Sequence, residues 1–100
     1  MRVVYAPPAL DDIRAITDYI ARDSPINADR VKDRIFETID LLADQPTIMG
    51  RAGRVGGTAE LIINPYIVAY QVRGEIVEVL AVIDGRRGNI AGIIADRLDE

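Results

Sequence analysis

The sequence contains neither cysteine nor histidine. Disulfides, thiol nucleophiles, zinc sites of the usual Cys/His kind and histidine acid–base chemistry are therefore excluded together. Long apolar runs are missing too: none approaches the roughly 20 residues needed to span a bilayer. The start, MRVVYAPPALDD, reaches prolines and aspartates too early for a signal peptide. The expectation is a cytoplasmic protein with no membrane contact. Positive charge is in deficit, with a net charge of −4, which argues against general polyanion binding because non-specific nucleic-acid affinity rests on phosphate neutralisation. No glycine cluster both follows a strand and opens a helix with Lys-Ser/Thr behind it, so a nucleotide-binding loop is not expected. No cofactor or metal is expected either.

What remains is 100 residues with 49% apolar and 28% charged content, enough for one globular domain around a single core. The charge is uneven. Residues 1–50 carry nine acids against six bases, whereas 51–87 carry four acids against five arginines. Eleven of the twelve cations are arginine, which fits either genomic base composition or a need for bidentate recognition.

The chain is organised around Leu61 to Arg87, LIINPYIVAYQVRGEIVEVLAVIDGRR. Three apolar runs, Leu61 to Ile63, Tyr66 to Val72 and Ile76 to Ile83, are separated by Asn64-Pro65 and by Arg73-Gly74-Glu75. Runs rich in Val, Ile and Tyr broken by turn formers predict an antiparallel meander. In the last run strict alternation puts Val77, Val79, Ala81 and Ile83 on one face, and Ile76, Glu78, Leu80, Val82 and Asp84 on the other. The first set carries no charge and is expected to face the core. The strand then delivers Asp84-Gly85-Arg86-Arg87 at the end of a rigid sheet.

Ahead of the meander, Arg2-Val3-Val4-Tyr5 predicts a short added strand, stopped by Pro7-Pro8. Leu10, Ile13, Ile16 or Thr17, and Ile20 recur at helical spacing. Asp11 and Asp12 are read as first-turn charges suiting the helix dipole rather than as a metal site. Arg22-Asp23 closes this helix. Ser24 is placed as N-cap and Pro25 as first residue of a second helix, whose stripe is Ala28, Val31, Ile35, Ile39 and Leu42 and whose end falls at Ala43-Asp44-Gln45 before Pro46. The pair forms a helical hairpin, with the intervening charges on its solvated side. Thr47 to Thr58 reads as a flexible loop presenting Arg51 and Arg54 among Gly50, Gly53, Gly56 and Gly57. After Arg87, the spacing of Ile90, Ile93 or Ile94, and Arg97 or Leu98 predicts a short terminal helix. The expected fold is α+β: a strand, then a helical hairpin packed on a three- to four-stranded antiparallel sheet.

The segments YAPPALDDIRAITDYIARDSP, GRAGRVGGTAELIINPYIVAYQV and EIVEVLAVIDGRR, in this order, resemble the RelE/ParE superfamily of toxins from bacterial type II toxin–antitoxin systems. Arg51, Gly53, Arg54, Glu60 and Leu61 leading into Pro65-Tyr66 look most like the ParE branch. The resemblance implies a cognate ParD-like antitoxin that wraps the toxin along the helical hairpin and a sheet edge. The residues expected to meet it are Leu10, Ile13, Ile20, Val31, Ile35, Ile94 and Leu98. It also implies one of two activities. ParE-like members are described as poisoning DNA gyrase, RelE-like members as cutting messenger RNA on the ribosome.

Metal-free RNA cleavage needs a base, an acid and cations around the scissile phosphate. Arg51, Arg54, Arg86 and Arg87 are cation candidates, either for phosphate or as a target-binding surface. For proton transfer, Glu60, Tyr66, Tyr70 and Asp84 are the candidates. Many superfamily members carry a histidine where Asp84 stands, and Asp84, with an ordinary pKa of ~3.9, is a poor acid near neutrality. It is expected to pair with Arg86 or Arg54. An inhibitor of gyrase needs a complementary surface and no proton-transfer pair, so the favoured expectation is a gyrase-directed toxin that does not bind DNA by itself. The alternative is a ribosome-dependent endonuclease.

Overall fold

The computed structural model describes residues 1–45 and 49–99. Pro46 and the first two residues of the expected loop, Thr47 and Ile48, lie outside the described residues, as does Glu100. The chain order is β1 (Arg2–Tyr5), α1 (Pro7–Ala21), α2 (Pro25–Asp40), a 3-10 turn (Leu41–Ala43), β2 (Arg51–Ala52), β3 (Ala59–Ile63), β4 (Tyr66–Arg73), β5 (Ile76–Asp84) and α3 (Ile90–Leu98). The strands form one sheet in the order β1-β5-β4-β3-β2. Two features differ from the expected three- to four-stranded antiparallel sheet. β1 runs parallel to β5, because the α1–α2 hairpin carries the chain back across one face. A fifth strand, β2, lies inside the Arg/Gly loop and pairs Arg51 with Glu60 and Ala52 with Ala59.

The helices start where local chemistry dictates. Ser24 Oγ accepts from the Asn27 amide at 3.2 Å and Pro25 follows at the first helical position, which satisfies one orphan donor of the helix start. α2 keeps α geometry to Asp40 and then tightens into the 3-10 turn, a common way for a helix to end. Its stripe of Ala28, Ile35, Ile39 and Leu42 is buried, each large aliphatic contributing about 1.5–3 kcal/mol relative to exposure. Gly74 sits at φ +58° in the β4–β5 turn, a conformation that other residues enter at a cost.

The two faces of the sheet are covered separately. The hairpin packs on Leu61, Ile63, Val68, Tyr70, Val77, Val79 and Val82, while α3 brings Ile90 and Ile94 against Ile67, Ala69, Ala81 and Ile83. This corrects the assignment of Val77, Val79, Ala81 and Ile83 to one face. Tyr70 pairs with Val79 but Ala69 pairs with Ala81, so Leu80 is an extra residue, a β-bulge that inverts the alternation. Beyond the bulge, Val82 and Asp84 point to the hairpin side, and Ala81 and Ile83 to the α3 side.

Asp12 also departs from expectation. α1 begins at Pro7 with no acidic residue in its first turn, so Asp12 does not serve the helix start. Its carboxylate instead accepts Arg97 Nη2 at 2.9 Å and Nη1 at 3.0 Å, and the Val82 amide at 3.0 Å. Among the described residues, no helix is long and apolar enough to cross a membrane.

Candidate functional site

The bulge and the ends of β4 and β5 build a cleft against α1. Tyr66 opens β4 and lies directly opposite Asp84, the last residue of β5. Arg86 follows after one glycine. Across from them α1 presents Ile16, Tyr19 and Ile20, and the open cleft between them has a volume of about 380 Å³. Tyr19 is 69% exposed, with the Arg22 guanidinium 5.5 Å above its ring. Arg34 reaches from α2 to the Asn64 carbonyl at 2.6 Å, tying the hairpin to the turn before Tyr66.

The charges of this cleft are already partnered. Arg86 Nε and Nη2 donate to the two oxygens of Asp84 at 3.0 and 2.7 Å, and the Arg86 amide adds a third bond at 2.9 Å. These bonds hold the Asp84 pKa down at about 2, since each favours the ionised form. The same pairing raises Arg86. Tyr66 is shifted upward, first by burial and then by the Asp84 charge, with Arg34 and Arg86 opposing. At neutral pH the cleft therefore presents a neutralised ion pair, a protonated phenol and an aliphatic wall.

Glu60 sits elsewhere. It pairs with Ala69 and so faces the α3 side. It is 2% exposed and is the buried charged residue of the described core. Arg54 Nε and Nη2 grip its carboxylate at 2.9 and 3.0 Å, the Arg54 amide donates at 2.9 Å, and Arg51 Nη2 stands at 3.7 Å. The Arg54 fork outweighs burial and keeps the Glu60 pKa low.

The four arginines predicted to act together are thus split. Arg51 and Arg54 serve Glu60 on one face of the sheet; Arg86 serves Asp84 in the cleft on the other, and Arg87 is exposed in the turn that follows. Tyr70, a further proton-transfer candidate, is fully buried with burial raising its pKa. Its hydroxyl occupies the place where a side chain at Gly50 would project, so it packs the core.

Of the residues expected to meet an antitoxin, Ile13, Ile35 and Ile94 are interior. Helical periodicity marks the face that packs on the protein's own sheet, and these three are its centre. Leu10 is exposed, while Ile20, Val31 and Leu98 are half-buried. Sequence reasoning missed Tyr19 as a wall of the cleft. Its signal was an aromatic residue lying off the apolar stripe, on the side of the helix that solvent should own.

The family described as ParE toxin of type II toxin–antitoxin system, parDE, matches residues 3–88. Y4kP of Sinorhizobium fredii, which bears a toxin name, is 38% identical over 84 residues, covering 82% of this chain and 85% of that protein. Toxin RelE2 of Caulobacter vibrioides is 32% identical over 81 residues, covering 81% of this chain and 91% of its own length. A solved structure titled as the chromosomal ParDE TA system from P. aeruginosa shares the fold with a TM-score of 0.77 at 24% identity, covering 84% of this chain and 95% of that one. The chain belongs to the ParE toxin family of type II toxin–antitoxin systems.

Proposed function

We propose that this toxin inhibits growth by docking on DNA gyrase and trapping cleaved DNA on it, that it performs no proton-transfer chemistry of its own, and that a ParD-like antitoxin neutralises it. The observation that carries the reading is the state of the candidate acids and bases. Asp84 is locked by Arg86, Glu60 is locked by Arg54 on the opposite face, and the Tyr66 phenol is shifted away from neutrality. General acid–base work near pH 7 favours a group whose pKa lies near that pH, and these three lie well away from it. Pairing also weakens the cleft as a phosphate site, because the Asp84–Arg86 pair contributes no net charge. An aliphatic wall with two tyrosines and one strongly exposed guanidinium suits a protein surface, where aromatic and arginine anchors concentrate binding energy.

The antitoxin-facing surface belongs to the same reading. Leu10, Ile20, Val31 and Leu98 keep accessible area, and Leu10 lines a shallow groove between α1 and α2 with Arg14, Lys32 and Phe36. An amphipathic segment folding on binding would cover such a groove.

The test is expression of the toxin without antitoxin, followed by recovery of DNA and RNA from the same cells. Protein-linked double-strand breaks that vanish in a gyrase-resistant background, with transcripts intact, are the expected result. Transcripts cut at codon-defined positions with unbroken DNA would support ribosome-dependent cleavage instead.

A further inference from the structure

β5 is flanked on one side by β4 and on the other by β1, but β1 pairs only with Ile76 to Val79. Past Val79 the β1 side of β5 has no strand among the described residues. That is where Leu80 is inserted as the extra residue, and a bulge leaves backbone groups out of the ladder. Two side chains from distant parts of the sequence supply what the ladder lacks. Arg97, in the last turn of α3, donates from Nη1 to the Leu80 carbonyl at 2.9 Å. Asp12, in α1, accepts from the Val82 amide at 3.0 Å. The same two side chains are joined to each other in a bidentate pair, each only about a fifth exposed. The bulge is thus held from both faces of the sheet by one ion pair.

The bulge decides which way the end of β5 points. With strict alternation, Asp84 would lie opposite in face to Val79 and would be aimed toward α3. With Leu80 inserted, Asp84 shares the face of Val79 and lies opposite Tyr66 in the cleft under Ile16, Tyr19 and Ile20. We infer that Asp12 and Arg97 are positioning residues: by closing the backbone around Leu80 they fix the inverted register that delivers Asp84 and Arg86 into the cleft. The link to toxicity rests on the cleft being the target-binding surface proposed above; the positioning role itself does not.

The experiment compares the full chain with Asp12→Asn and Arg97→Gln by NMR. A control, Ile94→Val, weakens the packing of α3 without touching the pair. In the unaltered protein and the control, Tyr66 ring and Val82 methyl protons are expected to show contacts to Ile16, Ile20 and Val68. The two variants are expected to lose or broaden these contacts, to exchange the Val82 amide at least tenfold faster, and to inhibit growth at least tenfold less. Arg97→Lys keeps the cation without the fork and should fall between, which substitutes for a variant that fails to fold. Unchanged Tyr66 and Val82 contacts in the folded variants would overturn the positioning role. Lost contacts with undiminished growth inhibition would uphold positioning and sink the cleft as the toxic surface, so the two failures are separable.

Discussion

The Asp12 carboxylate and the Arg97 guanidinium lie 85 residues apart in sequence and meet at 2.9 Å over the bulge in β5. Through them the two helical layers hold each other across the sheet. Asp12 belongs to the hairpin that covers one face, Arg97 to the helix that covers the other, and each also bonds β5 itself.

Truncating either member leaves a largely buried charge and an unpaired backbone group. Asp12→Ala and Arg97→Ala should each cost about 2–4 kcal/mol of stability. The double variant should cost clearly less than the sum, because the second truncation removes the charge stranded by the first. Urea midpoints of the three variants measure this. Full additivity would show that the pair is not an energetic unit.

Acid should weaken the fold in a defined window. Asp84 at about 2 and Glu60, lowered by Arg54, both have folded pKa values below their unfolded ones. A depressed carboxylate contributes stability that is complete above its unfolded pKa of ~4 and is lost as pH falls through the folded value. Chemical denaturation should be level from pH 7 to about 5 and should decline between about 4 and 2. Glu60→Gln should flatten part of that decline.

Glu60→Gln should also cost about 1–3 kcal/mol at pH 7, since the Arg54 fork loses its ionised acceptor in a buried place. Any loss of toxicity should track the loss of folded protein. A fully folded Glu60→Gln protein without toxicity would return Glu60 to the list of functional groups.

In the cleft, Arg86→Ala should abolish growth inhibition while lowering the melting temperature only slightly, because an exposed ion pair contributes little, and antitoxin binding should stay close to that of the unaltered protein. Tyr66→Phe should retain at least half of the activity, because the reading assigns the ring a contact and the hydroxyl no proton transfer. Measured dose–growth curves decide both. Inactive Tyr66→Phe with intact Arg86→Ala would reverse the assignment.

Much of this architecture is legible in the residues. Ser24-Pro25 announces the start of α2, Pro7-Pro8 ends β1, and Asn64-Pro65 and Gly74 punctuate the meander. The bulge is not legible, for a physical reason: IVEVLAVID is apolar at Leu80, Ala81, Val82 and Ile83 because both faces are covered, so the sequence has no polar marker to reveal the inversion. The strand β2 is hidden because two residues beside glycines carry too little pattern. The Asp84–Arg86 pairing was accessible, being two residues apart, whereas Asp12 and Arg97 meet only through the tertiary fold. Ile13, Ile35 and Ile94, expected at the antitoxin surface, are interior in the chain itself, because an apolar stripe marks burial before it marks a partner.

Docking of the paired cleft on gyrase, the mode of action proposed above, is directly testable in vitro. The most direct measurement incubates purified toxin, freed of antitoxin, with gyrase and supercoiling substrate in one reaction and with programmed ribosomes in another. If the toxin docks on gyrase, supercoiling is blocked and linear DNA accumulates, both effects are lost with Arg86→Ala, and messenger RNA stays intact. Codon-positioned cuts in the messenger RNA with unaffected gyrase would contradict that docking.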